Sequence, residues 1–397
     1  MKPSKRKRIV LGMDGGLPSR VAASILRNQD FDLLAVHLRC DLAALGLNPA
    51  TYPSAMGASD LPAIEKFCES LGIPLRMIDV TEEVLAKVHN PFWIATLTGT
   101  RFSGAAAWAK EILFPHLERV ATARGADQIG TGHFAKRAPD LYRYPEGDFD
   151  QSRTLAQLDR ALLEKLVLPV GDVSLEMLIR LAREIGAIPK TEAGFSLEAE
   201  MRALATARKT RGRWEWTDAQ LEAPEVQARA AGDYFAPGPI RGTAEFEVGN
   251  HRGIPFYQVG SKAPQSPGHF VLKILPQSRT LLVAAEAGMA VDTIRGTQLV
   301  WTDALPHGAH RRRFVTIEKE AAHPRIVRLG PDQTSGTLLT YPGGLAELQL
   351  DAPLYAVSPG ETLVFFEDSR VLGSLKVIEA LRSGTLEKPI EKQGTPA

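Results

Sequence analysis

The chain has 397 residues, of which 44% are apolar and 23% charged, a composition typical of globular proteins that excludes a disordered or fibrous chain. Its length predicts about two or three domains. Forty-seven Lys and Arg residues against forty-six Asp and Glu leave a formal net charge of +1, so any RNA site must be a local basic patch.

Cysteine content and the chain start indicate the compartment. Cys40 and Cys68 are the only cysteines, too few for a disulfide framework and wrongly spaced for zinc, so a reducing cytoplasm is expected and no metal cluster. The basic residues 1–8 precede only a short apolar run, too short for a signal peptide. No segment has the length of a membrane span, so no membrane partner is expected.

Strands and helices alternate through the first half of the chain. A strand at residues 9–12 leads into a helix at 18–27 that carries proline in its first turn. Further strands are predicted at 33–38, 75–80 and 126–130, and further helices at 61–71, 105–123, 155–166 and 175–185. This alternation predicts an α/β fold with a parallel sheet covered by helices.

The character of the sequence changes from about Tyr234, where Pro and Gly multiply. Short strands are predicted at 268–274, 280–284, 313–317, 346–350 and 362–366, which indicates one or two small β domains. The polar residues after Ser383 predict a frayed tail. The predicted division is 1–232, 233–296, 297–382 and the tail 383–397.

Five segments of the sequence carry a resemblance to a known family: residues 12–20, 130–137, 150–152, 251–260 and 356–361. The first three occur in the order seen in tRNA-specific 2-thiouridylases, and the last two are similar to that family's two β domains. The resemblance implies a PP-loop (adenine nucleotide alpha hydrolase-like) domain, a small central β domain and a C-terminal β-barrel-like domain. It also implies that the protein uses ATP, with Mg²⁺, to adenylate uridine 34 of a tRNA. Sulfur carried on a cysteine then replaces the activated oxygen.

The candidate nucleotide-binding residues lie in two of these segments: Gly12, Asp14, Gly15, Gly16, Ser19, Gly132 and His133. A glycine turn that opens a helix offers N–H groups and a positive dipole end to pyrophosphate. The family loop reads Ser-Gly-Gly-x-Asp-Ser, whereas Asp14 replaces its first serine and Pro18 its aspartate. A carboxylate beside phosphate and a missing N–H are expected to weaken ATP binding about tenfold or more. Alternatively, the glycines only connect strand to helix.

His133 matches the family position beside the reaction centre, although a histidine at a strand end is equally a hydrogen-bonded structural residue. Asp150 and Gln151 resemble a stretch that contacts tRNA in the family. An Asp before a Ser is equally an ordinary helix cap, so both interpretations stay open.

Sulfur transfer in the family needs two cysteines, because a thiolate must carry the persulfide and another must attack or resolve it. Ungapped counting places Trp108 at the first cysteine, and Ser103-Gly104-Ala105 replaces a base-contacting Asn-Pro-Asp. Ser196 stands at the second. Cys40 and Cys68 lie elsewhere and are predicted to be small buried apolar residues. No catalytic residue is therefore predicted.

RNA contacts also differ from the family pattern. Glu318 and Lys319 replace an Arg-Tyr pair, and Glu361 replaces the Gln of a Pro-Gly-Gln turn, so carboxylates are expected where phosphate would approach. A basic segment with interleaved aromatic residues is the remaining RNA-binding candidate: Arg208, Lys209, Arg211, Arg213, Trp214 and Trp216. The alternative is a solvated connector whose tryptophans anchor it.

Two functions follow from these patterns. The first is a 2-thiouridylase-like pseudoenzyme that binds tRNA or another RNA, a nucleotide or a protein partner without transferring sulfur. The second is an enzyme that still activates its substrate with ATP and takes sulfur, or another nucleophile, from an external donor.

Overall fold

The structure, a computed structural model, describes residues 6–41, 61–145, 147–187, 221–222, 224–227, 233–244, 246–301, 312–319 and 333–381. Within these ranges, no helix has the length and apolar character needed to cross a membrane. The predicted basic segment, Ser196 and the tail fall outside the described residues.

Seventeen strands and ten α-helices are found in the described ranges. The helices are α1 Leu17–Asn28, α2 Leu61–Ser70, α3 Thr81–Val84, α4 Asn90–Thr98, α5 Gly104–Ala107, α6 Phe114–Arg124, α7 Ser152–Leu155, α8 Arg160–Lys165, α9 Leu175–Glu184 and α10 Pro224–Gln227. The first seven strands are β1 Arg8–Gly12, β2 Asp32–Arg39, β3 Leu75–Asp79, β4 Gln128–Gly130, β5 Ala135–Arg137, β6 Leu141–Arg143 and β7 Leu166–Val167. The remaining strands are β8 Gly238–Gly242, β9 Glu247–His251, β10 His269–Leu275, β11 Thr280–Ala285, β12 Ala290–Trp301, β13 Arg312–Lys319, β14 Gln333–Thr340, β15 Ala346–Tyr355, β16 Thr362–Glu367 and β17 Arg370–Leu381.

The first half of the chain forms a five-stranded parallel sheet in the order β3-β2-β1-β4-β7. Its central strand β1 is buried on both faces. Ile9 and Leu11 lie in one apolar cluster and Val10 lies in the other, as expected for a parallel sheet covered by helices. The predicted α/β fold class is therefore confirmed.

Two predicted helices are interrupted. The helix expected at 105–123 contains a π-helical segment, Trp108–Leu113, between α5 and α6. The helix expected at 155–166 is two short helices, because the Asp159 side chain accepts the N–H of Leu162 at 2.8 Å and begins a new helix, α8. Leu166 then enters β7, which periodicity alone did not separate from the helix.

The second half of the chain contains two sheets. The four-stranded one has the order β10-β11-β8-β9. In the other, β12 pairs with both β15 and β17, so the six strands β12 to β17 close into a barrel. The predicted boundary between residues 296 and 297 falls inside β12.

A hairpin from the first half joins this barrel. Strands β5 and β6 extend its sheet through the pair Tyr142–Arg370. The Arg370 guanidinium binds Asp140 at 2.9 Å, and the Arg143 guanidinium lies 3.5 Å from the centroid of the Phe366 ring. These contacts join the α/β part to the barrel next to the segment that carries His133.

Candidate functional site

The candidate phosphate loop follows the carboxyl end of β1 and is held by β2. The Met13 N–H donates to the Val36 carbonyl, and His37 Nδ1 donates to the Met13 carbonyl, each at 2.8 Å. Gly15 has a φ of 78°, a left-handed conformation that favours glycine. Helix α1 begins at Leu17, one residue earlier than predicted, and Pro18 is its second residue. The loop therefore has the strand–turn–helix shape that the sequence predicts.

The side chain of Asp14 folds back onto this loop. Its Oδ1 accepts the Gly16 backbone N–H at 2.8 Å and the Ser19 hydroxyl at 2.5 Å. Short O–H···O⁻ bonds of this kind are among the stronger hydrogen bonds in proteins. Asp14 thus places its carboxylate on two donors that belong to the residues predicted to bind a nucleotide phosphate.

The second candidate segment lies beside the first turn of α1. Gly132 contacts the backbone of Pro18 and Ser19. His133 is partly buried, with Nδ1 2.9 Å from the Thr131 hydroxyl and its ring 6.1 Å from that of Phe114. The structure therefore brings Gly132 into contact with the residues that follow the loop, with His133 next to it in the chain, as the resemblance implies.

Asp150 and Gln151, candidates for RNA contact, both make local structural bonds. Asp150 is buried, and its Oδ1 accepts the N–H groups of Tyr144 and Ser152. The Gln151 side chain accepts the Phe134 N–H at 2.8 Å, and the Gln151 N–H donates to the Phe134 carbonyl. These bonds support the structural interpretation, and contact with RNA stays a prediction.

Trp108 is partly buried against the larger apolar cluster of the α/β part, at the start of the π-helical segment. Ser103, in place of the family's base-contacting segment, caps α5 by accepting the N–H of Ala106.

Cys40 and Cys68 are both buried, as predicted. Burial raises the pKa of the Cys40 thiol to about 11 and also raises the pKa of Cys68, so both remain protonated.

Two carboxylates, those of Glu318 and Glu361, were expected on the RNA-facing side of the barrel, and the structure describes the side chain of Glu361 but not that of Glu318. Glu361 is only 2% exposed and its carboxylate accepts the Ser358 N–H, so it is not the phosphate-facing surface carboxylate that the sequence suggested. Glu318 pairs through its backbone with Val364 and Gln333, and its side chain lies outside what is described. No cluster of three metal-ligating side chains is found in the described ranges.

Two residues that contribute to the site were not predicted from the sequence. His37 fixes the first loop residue through the Met13 carbonyl, and Thr131 contacts the His133 ring. In the sequence His37 is one residue of an apolar strand, and nothing in its spacing indicates that it reaches β1. Only the pairing of β1 with β2 reveals this role.

Similar proteins were found over nearly the whole chain. Models described as the tRNA methyl transferase HUP domain and the Aminomethyltransferase beta-barrel domain match residues 7–193 and 291–377. Proteins named tRNA-specific 2-thiouridylase MnmA are similar as well. That of Acidothermus cellulolyticus is 26% identical, covering 95% of this chain and 99% of its own length. The protein of Paenarthrobacter aurescens is 28% identical and covers 95% of this chain and 98% of its own length. The protein of Methylorubrum extorquens is 27% identical and covers 97% of this chain and 98% of its own length. Taken with the parallel sheet, the loop and the C-terminal barrel, these matches show that the chain belongs to the tRNA-specific 2-thiouridylase family.

Proposed function

We propose that this chain is a 2-thiouridylase-like protein that binds RNA without transferring sulfur to it. The observation that carries the proposal is the engagement of Gly16 and Ser19 by Asp14. A phosphate at this place would have to displace a carboxylate from its hydrogen bonds or lie beside it. At close range two like charges repel by about 1 to 4 kcal/mol, which corresponds to about tenfold or more in affinity. ATP, with or without Mg²⁺, is therefore expected to bind weakly.

The absence of a usable thiol also supports the loss of sulfur transfer. Persulfide chemistry needs a thiolate, and Trp108 and Ser196 stand at the two family cysteine positions. Cys40 and Cys68 are poor replacements, because both are buried and burial raises the pKa of each thiol, which disfavours the thiolate. Any sulfur would have to come from outside the chain.

The proposed ligand is tRNA or another RNA, and the basic segment with Arg208, Lys209, Arg211 and Arg213 is the proposed contact. Lys and Arg neutralise phosphates, and Trp214 and Trp216 offer faces on which bases stack. The relatives are named for an action on tRNA, which favours RNA over a protein partner.

The second candidate is an adenylating enzyme that takes sulfur, or another nucleophile, from an external donor. The position of Gly132 and His133 beside the loop favours it, because the family places these residues at the adenylate and the reaction centre. This enzyme would release pyrophosphate from ATP when RNA is present even though it carries no cysteine at positions 108 and 196.

One assay separates the two candidates. The full chain is incubated with tRNA, ATP and a sulfide donor, and both thiolated uridine and released pyrophosphate are measured. The MnmA protein of Acidothermus cellulolyticus serves as the positive control. The proposed function predicts neither product above background. Pyrophosphate release that depends on RNA would favour the adenylating enzyme, and thiolated RNA would overturn the proposal.

A further inference from the structure

A cavity of about 400 Å³ lies at the end of the parallel sheet opposite the phosphate loop. Its lining residues include three arginines and one carboxylate: Arg6, Arg8, Arg27 and Asp32. Arg8 begins β1 and Asp32 begins β2, whereas the loop follows the last residue of β1. At about 3.3 Å per residue, the length of β1 separates the two places by about 13 Å. The cavity is thus distinct from the candidate nucleotide site.

The carboxylates around this cavity are already paired. Asp32 binds Arg8 Nε at 3.2 Å through one oxygen and Arg124 Nη2 at 2.8 Å through the other. Arg6 binds Asp30 at 2.8 Å, and Asp127 accepts the backbone N–H of Arg8. Together with Arg27, four guanidinium groups line the cavity or bind its lining residues, against three carboxylates, which leaves a net charge of +1.

Arg27 contributes donors that are directed to the cavity. Its Nε donates to the Leu71 carbonyl at the end of α2, and its Nη2 lies close to Gly72, another lining residue. Among the described residues, its two terminal nitrogens have no hydrogen-bonding partner. Leu33, Ile73 and Pro74 add apolar surface. Planar guanidinium donors beside an apolar wall suit a phosphate that carries a sugar or base, and the volume is that of small-ligand sites, about 300 to 1,000 Å³.

We propose that Arg6, Arg8 and Arg27 form a phosphate-binding pocket at the amino ends of the parallel strands. The ligand is a phosphate group, carried by a free nucleotide or by the backbone of an RNA. This pocket is independent of the phosphate loop and of the proposed basic segment. It gives the α/β part a place to hold a phosphate that Asp14 does not block.

The test compares two charge-matched double variants of the full chain. Arg6→Gln with Arg27→Gln alters the pocket, and Arg180→Gln with Arg241→Gln removes two exposed charges elsewhere. The probes are AMP and a uridine dodecamer with hydroxyl groups at both ends, so that its only phosphates are internal diesters. Binding to the loop is common to both variants and cancels in the comparison.

The pocket variant should lose about tenfold in affinity for at least one probe, because charge-assisted hydrogen bonds to phosphate are lost. The control should change less than about twofold. Loss with AMP identifies a free nucleotide as a ligand, and loss with the dodecamer alone identifies the RNA backbone. In the second case the slope of log affinity against log salt should also fall by about 1.4, since each phosphate contact with a single strand contributes about 0.7.

Arg6→Gln alone guards against misfolding, because the Arg6–Asp30 pair is exposed and adds little stability. It should reproduce part of the loss with an unchanged melting temperature. Equal affinities of the two double variants for both probes, or no binding of either probe by the unaltered chain, would overturn the proposal.

Discussion

Gly132 lies so close to Ser19 that a Cβ at position 132 would be 2.6 Å from the Ser19 backbone nitrogen. This contact joins the two segments that hold the predicted nucleotide-binding residues. It also makes the geometry of the loop sensitive to a single methyl group.

Gly132→Ala is therefore expected to lower the stability of the chain by about 1 to 3 kcal/mol, because the methyl group would displace the first turn of α1. Gly147→Ala is the matched control, since a Cβ there meets no atom within 4 Å. Urea denaturation of both variants measures the difference. A Gly132→Ala chain as stable as the control would show that the turn of α1 yields without cost.

Replacing Asp14 by Ser together with Pro18 by Asp should raise the affinity for ATP about tenfold or more, because the carboxylate that now lies on the loop donors is moved away from them and position 18 regains a backbone N–H. It also frees the Gly16 N–H. Isothermal titration calorimetry of both proteins measures the change, and Glu176→Gln, which removes an exposed carboxylate on α9, is the control. Tight ATP binding by the unaltered chain that is lost when Gly16 becomes Val would contradict the proposed blockage of the loop.

Changing Arg208, Lys209, Arg211 and Arg213 together to Gln should weaken RNA binding and lower its salt slope by up to about four. The same change at four exposed arginines controls for net charge: Arg76, Arg119, Arg180 and Arg241. Affinity for tRNA is measured at two salt concentrations.

If the segment were only a connector, RNA affinity would match that of the control. Trp214→Ala or Trp216→Ala would then lower the melting temperature instead, because apolar surface would be uncovered.

His251 should make stability depend on pH. Its ring is buried and neutral: Nε2 donates to the Arg279 carbonyl at 2.7 Å, and Nδ1 accepts the Gly253 N–H at 3.0 Å. Burial lowers its pKa below the ordinary 6.5, so the unfolded chain binds more protons as the pH falls through 6.5. The His251 contribution is complete above pH 6.5 and is lost as the pH falls from there to the lowered pKa.

Urea denaturation at several pH values from 8 to 5 tests this for the unaltered chain and for His251→Gln. The variant should be less stable by about 1 to 3 kcal/mol at pH 8, because a buried hydrogen bond is lost. It should also lose less stability on acidification. Parallel pH profiles would exclude His251 as the titrating group.

Local patterns in the sequence determined much of this protein. The apolar run of β1, the glycine turn and the helix that follows predict the strand–loop–helix unit, since burial periodicity and backbone preference act over a few residues. The absence of cysteine from positions 108 and 196 is likewise a property of the covalent chain. The order of the motifs sufficed to identify the family.

Contacts between distant residues were decided only by the tertiary structure. The hairpin of β5 and β6 joins the barrel at β17, more than two hundred residues away in sequence, and His37 on β2 reaches the loop that follows the neighbouring strand β1. Glu361 is a turn residue in the sequence, but the fold buries it. The sequence shows only that Asp14 replaces a family serine, whereas the structure shows that its carboxylate binds Gly16 and Ser19. Periodicity indicates which face of an element is buried, but the partner of a polar side chain depends on which elements meet.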